Sequence, residues 1–186
     1  MKKTIAERAE ILPQLAEVFR AYGYEGATLA LIGEATSLGK GSLYHFFPGG
    51  KAQMAKEVLA EIDQWFEANI FAPLQHAREP SSAIGDMIAA VDRYFHSGQR
   101  VCLVGVIALG ASRDSFADQV RGYFSRWHEA LTAVLKRLGL SGATARRRAE
   151  TALANIQGAL VLARAFDDPK VFSRAMTDLK GQLLAA

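Results

Sequence analysis

Cysteine is nearly absent from this sequence: Cys102 is the only one. One thiol cannot build a disulfide framework or a cysteine-based zinc site within a chain, and such scarcity fits a reducing compartment. With 5 prolines and 16 glycines in 186 residues, collagen-like and low-complexity character are excluded. Long apolar runs are missing too. The longest, residues 101–109, is too short to cross a bilayer. The N-terminus, MKKTIAERAEILPQL, is broken by charges throughout and lacks the apolar core of a signal peptide. A soluble, cytoplasmic protein with no membrane partner is expected. Net charge is small: 22 Lys+Arg against 19 Asp+Glu leave +3. That permits a nucleic-acid partner without arguing for one.

Chemistry-bearing clusters are also lacking. His45, His76, His96 and His128 show no metal-ligand spacing on a shared helix face. No nucleophile–base–acid arrangement and no phosphate-cradling glycine loop is visible, and Gly49-Gly50-Lys51 has the wrong spacing for one. No metal, no cofactor and no catalytic residue is expected. Cys102 stands in the apolar stretch Val101-Cys102-Leu103-Val104, which argues for an inert buried thiol; sensing would need exposure and a lowered pKa.

What is present is helix. Half the residues are hydrophobic and 22% are charged, the composition of a folded globular chain. Ile11, Leu15, Val18, Phe19 and Tyr22 follow steps of three and four, giving the first segment one apolar stripe. No strong apolar–polar alternation occurs. Residues 101–107 are rich in β-branched side chains, but a lone strand cannot form a sheet, so they are read as a buried helix. Boundary signals follow in order. Gly23 and Gly26 end the first helix, and Thr28 caps a second over 29–35. A third helix spans about 40–46 and is stopped by Pro48-Gly49-Gly50. A long fourth helix begins near Lys51 and reaches Ala72, where Pro73 bends or ends it. Ser115-x-x-Asp118 resembles a capping box opening a long helix to Leu138, and Asp168-Pro169 starts the last helix. The expectation is an all-α fold of about nine helices. Residues 1–50 form a small N-terminal unit and residues 51–186 a larger helical one, with helix 51–72 shared as connector.

Residues 28–47 carry the motif. Two short helices joined by Thr36-Ser37-Leu38-Gly39 have the dimensions of a helix-turn-helix. In the second, Leu43 and Phe47 share one face and would join Phe19 and Ile32 in a small core. The other face shows Lys40, Ser42, Tyr44 and His45, all suited to phosphates and base edges. Gly41 allows close backbone approach at the helix start. Thr28 and Lys51 lie at helix N-termini, where an anion is favoured.

At these residues the sequence resembles the TetR family of bacterial transcriptional repressors. The resemblance spans Ile11 to about Ile62. It rests on Phe19, Gly23-Tyr24, Thr28-x-x-x-Ile32-Gly33, the block Lys40-Gly41-Ser42-Leu43-Tyr44-His45-Phe46-Phe47-Pro48, and Lys51. The turn 47–51 and Cys102-Leu103-Val104-Gly105 look like the LmrA/YxaF-type branch. Three departures stand out: Ser37 where the family usually has glycine, Gly39 where it has a capping serine, and a turn before Lys51 that is one residue longer. The resemblance implies a homodimer that binds a pseudo-palindromic double-stranded DNA operator, one recognition helix per half-site. It implies that Lys40, Gly41, Ser42, Tyr44 and His45 contact the operator while Thr28 and Lys51 position the backbone. A small apolar or amphipathic effector bound in the C-terminal helices would move the fourth helix and release DNA. Charge adds little here, since residues 1–60 hold seven Lys+Arg and six Asp+Glu.

Two long C-terminal helices suit the dimer. Ala152, Ile156, Ala159, Leu160 and Ala163 form a mostly small face that permits close helix approach, and are the expected interface; an internal core helix is the competing reading. Trp65, Phe66, Tyr94, Phe95, Cys102 and Trp127 are the candidate effector pocket, with ordinary core packing as the alternative. Two other functional readings stay open. One is an all-helical ligand-binding or scaffold protein without DNA binding, which predicts no salt-dependent association with DNA. The other is an enzyme sited in the bundle, for which the acid–base or metal constellation is missing.

Overall fold

The computed structural model describes residues 2–185, with side chains at residue 8 and from 10 onward. Ten helical segments follow in order: α1 (Lys2–Gly26), α2 (Leu29–Thr36), α3 (Lys40–Phe46), α4 (Gly50–Phe66), α5 (Ala72–His76), α6 (Pro80–Tyr94), α7 (Leu103–Leu109), α8 (Ala117–Arg137), α9 (Gly142–Ala165) and α10 (Lys170–Leu184). A π-helical turn, Glu67–Phe71, joins α4 to α5 without a break. Counting that run as one, the described residues hold nine helices, and no strand occurs among them. The fold class is all-α, as the periodicity requires.

Boundary chemistry explains most ends. Gly23, at φ 65° and ψ 177°, interrupts α1. The Thr28 hydroxyl accepts from the Leu31 amide at 3.2 Å and starts α2. Pro73 does not end the fourth helix. A proline ring clashes with the carbonyl four residues back, here Asn69, and the wider π turn covers that residue, so the rod continues to His76. Ser115 is not a cap: it lies in a 3-10 turn, Ala111–Phe116, that runs directly into α8. Asp168 accepts from the Lys170 amide at 3.0 Å and opens α10.

The chain divides into two compact units. The first comprises Met1–Gln64 and Leu103–Arg121, the second Trp65–Cys102 and Gly122–Ala186. This differs from a simple cut after residue 50. α1 packs on α7 and on the 3-10 turn, which brings residues 103–121 to the N-terminal unit. The core of the first unit holds Leu15, Phe19, Ile32, Leu43, Phe47 and Val58, none more than 1% exposed. That of the second gathers aromatic rings around Phe66 and the large side chains of α8 and α10. Among the described residues no helix is long and apolar enough to cross a membrane.

Candidate nucleic-acid interface

The turn between α2 and α3 is the informative piece of geometry. Ser37 adopts a left-handed conformation, φ 56° and ψ 26°. Its amide donates to the Glu34 carbonyl at 3.4 Å and the Leu38 amide to the Gly33 carbonyl at 3.1 Å. That is the 6→1 and 5→2 pairing of a Schellman motif, which turns the chain sharply while satisfying the last carbonyls of α2. The position usually belongs to glycine, and here serine bears the strain. Gly33 has its own reason: a Cβ there would lie 3.0 Å from the Leu38 carbonyl oxygen. Thr36 closes α2 by donating its hydroxyl to the Ile32 carbonyl at 2.7 Å.

α3 then begins at Lys40. Its Gly39 cap has no side chain to offer, so the first turn keeps its amides uncapped by side chains. Leu43 and Phe47 are buried, at 1% and 0% exposure, as are Phe19 and Ile32. Lys40, Gly41, Ser42, Tyr44 and His45 are all exposed, and Thr28 is exposed as well. The structure therefore brings six of the seven sequence-selected DNA candidates to open surface, five of them on one short helix. Tyr44 stays 41% exposed while its ring lies along Gly50, about 3.5 Å from where a Cβ would be.

The seventh, Lys51, is placed differently. Its ammonium donates to the Tyr24 carbonyl at 2.8 Å and the Glu25 carbonyl at 3.3 Å, and stands 4.6 Å from the centre of the Tyr24 ring. The turn before it is held by residues that sequence reasoning did not select. The Gly49 amide donates to Gln53 Oε1 at 2.7 Å, and Gln53 Nε2 donates to Glu57 at 2.8 Å. Glu57 pairs with Arg8, whose guanidinium lies over the Phe47 ring at 5.0 Å. Only Gln53–Glu57 could have been found from i,i+4 spacing; Arg8 is distant in sequence.

Glu25 is a perturbed group nearby. Its carboxyl is held below the usual 4.5, first by its own backbone amide and further by the hydroxyl and amide of Ser112 and the charge of Lys51, against a cost from burial.

In the second unit, the aromatic members of the proposed pocket meet one another. The Phe66 ring centre lies 4.7 Å from Tyr94, 5.2 Å from Trp65 and Trp127, and 6.2 Å from Phe95. Phe66, Phe95 and Trp127 are fully buried, and Trp65 and Tyr94 are half-buried against each other at 4.6 Å. Sequence reasoning missed Tyr123, 4.9 Å from Phe66, and Phe71. Cys102 is a buried thiol. The indole N–H of Trp127 is buried without a hydrogen-bond acceptor among the described residues. No group of three metal-binding side chains occurs among those residues.

The expected dimer face is turned inward. Ala152, Ile156, Ala159, Leu160 and Ala163 are at most 5% exposed within the single chain, where α9 packs on α10. The free side of α9 is another stripe: Gly158, Val161 (62% exposed), Leu162 (46%), Ala165 and Phe166 (66%). A helix apolar on two sides packs on two sides, and sequence periodicity does not say which side its own chain covers. Between α9 and α10 runs a groove of about 310 Å³, lined by Ala154, Gly158, Leu162, Val171 and Ala175 among others.

Known proteins share this arrangement. The family described as bacterial regulatory proteins, tetR family, matches residues 11–58, and the transcriptional regulator LmrA/YxaF-like C-terminal domain matches residues 80–178. The HTH-type transcriptional regulator LmrA of Bacillus subtilis is 26% identical over 83% of this chain and 85% of its own length. A TetR-family regulator from Agrobacterium tumefaciens shares the fold with a TM-score of 0.82 at 23% identity, over 98% of this chain and 100% of that one. The regulator CifR, solved with double-strand operator DNA, shares it with a TM-score of 0.70 at 22% identity, over 90% and 94% of the two chains. With a helix-turn-helix whose outer face is open and a C-terminal domain of this description, the chain belongs to the TetR family of DNA-binding transcriptional regulators, in its LmrA/YxaF-like branch.

Proposed function

We propose that the protein is a ligand-responsive repressor. In this reading it binds a pseudo-palindromic operator as a two-fold dimer, and a small apolar or amphipathic effector releases it. The observation that carries the DNA-binding side is the single exposed face of α3, with Lys40, Ser42, Tyr44 and His45 outward while Leu43 and the following Phe47 are locked in the core. Hydroxyl, imidazole and ammonium groups on a rigid helix suit base edges and phosphates alike. Gly41 lets the α3 backbone approach DNA closely, and Thr28 supports phosphate positioning at the start of α2.

The partner subunit is assigned to the open stripe of α9. A two-fold axis crossing α9 at Leu162 would set Phe166 opposite the partner's Gly158, since both lie four residues from Leu162. A large ring against a glycine is complementary, and burying a Phe contributes about 1.5–3 kcal/mol per site. For the effector, the ring cluster around Phe66 favours an apolar body, and the unmatched Trp127 N–H favours an acceptor group on it.

The test is fluorescence anisotropy on DNA from immediately upstream of the protein's own gene, with a salt titration and excess competitor. Tight, competitor-resistant and salt-sensitive binding supports the reading. If that duplex and a random-library selection both yield nothing above nonspecific binding, the repressor reading falls and the scaffold reading replaces it.

A further inference from the structure

Lys51 is the residue that the family resemblance makes a backbone contact, yet its ammonium is directed at acceptors within this chain. It has two carbonyl acceptors, Tyr24 at 2.8 Å and Glu25 at 3.3 Å, and an aromatic face at 4.6 Å. All three belong to the last turn of α1, whose carbonyls lack helical partners and attract a cation. The preceding turn explains the direction. Gly50 has φ 62°, a conformation that favours glycine, and its amide closes back on the Phe47 carbonyl at 2.8 Å. Gln53 clamps Gly49 on the other side. With this turn, the start of α4 presents Lys51 to α1.

The Tyr24-Glu25 pair that receives Lys51 is also gripped by the turn after α7. The Tyr24 ring meets Phe116 edge-on at 5.0 Å. A Glu25 carboxylate oxygen lies about 3.6 Å from where a Cβ on Gly110 would stand. We propose that Lys51 is an internal latch rather than a phosphate contact, and that Tyr24 and Glu25 are positioning residues that act through it on the start of α4 beside Tyr44. The inference rests on the DNA-binding reading for its consequence, but the latch itself exists in the free protein.

Two measurements test it. In the free protein, the Cε protons of Lys51 should appear upfield in a ¹H–¹³C spectrum through the Tyr24 ring current, and return to the ordinary lysine position in Tyr24→Leu. An unshifted Lys51 signal in the unmutated protein overturns the latch whether or not DNA binds. The second is the salt slope of binding to a random-sequence duplex. A lysine on a phosphate contributes about 0.9 to that slope. Lys40→Gln should lower the slope by about that amount, whereas Lys51→Gln should leave it unchanged. A drop of about 0.9 for Lys51→Gln sinks the inference while leaving the repressor reading intact.

Discussion

Ser37→Gly should make this protein more stable, and the size of the gain follows from one dihedral pair. Ser37 is left-handed at φ 56° and ψ 26°, in a turn that both of its amide hydrogen bonds require. An L-residue in that region costs roughly 1–2 kcal/mol. Glycine removes the cost but brings back roughly 0.5–1 kcal/mol of unfolded-chain entropy. The net gain is about 0.5–1 kcal/mol, which for a chain of this length raises Tm by roughly 1–4 °C. The probe matters. Both tryptophans, Trp65 and Trp127, belong to the second unit, so their fluorescence would follow the wrong part of the molecule. Far-UV circular dichroism and hydrogen exchange of the Leu43 amide, which bonds the Gly39 carbonyl at 3.0 Å, report on the helix-turn-helix itself. Slower Leu43 exchange in Ser37→Gly, and faster exchange in Ser37→Val, is the expected pair of results. If glycine leaves exchange unchanged or speeds it, the turn is not strained in the way argued.

Gly33→Ala should act in the opposite sense, by about 1–3 kcal/mol, because its methyl would press on the Leu38 carbonyl at 3.0 Å; the same exchange measurement reads it. Tyr44→Ala, at an exposed site, should abolish operator binding with the far-UV spectrum and subunit mass unchanged, whereas a collapsed spectrum would make Tyr44 structural. Phe166→Glu should convert the dimer to monomer in sedimentation equilibrium while each chain stays folded, and an intact dimer would move the interface off the free side of α9. Glu25 has its pKa lowered from 4.5, so its stabilising contribution is complete above that value and fades as pH falls through the lower, folded value. Glu25→Gln should therefore flatten the acid limb of a Tm–pH curve below about pH 4.5, and an unchanged limb would show that the folded chain, its own Glu25 amide first, does not hold the carboxylate.

The helix-turn-helix was legible in the sequence because its determinants are local. Thr28 caps an amide three residues on, Leu43 and Phe47 share a face by helical spacing, and the exposed set Lys40, Ser42, Tyr44 and His45 follows from the same 3.6-residue period. The all-α class follows too, since amphipathic period and end signals are written within each helix. Other features depended on which segments meet. Lys51 finds its acceptors 26 and 27 residues away, so its direction is a property of the α1–α4 packing. Residues 103–121 join the N-terminal unit because α1 covers them. α9 has two apolar sides, and only the docking of α10 decided that Ala152, Ile156 and Ala159 are inside and Val161, Leu162 and Phe166 outside. Local spacing fixes what a helix can bury; the tertiary structure decides what buries it, because that choice is made by residues distant along the chain.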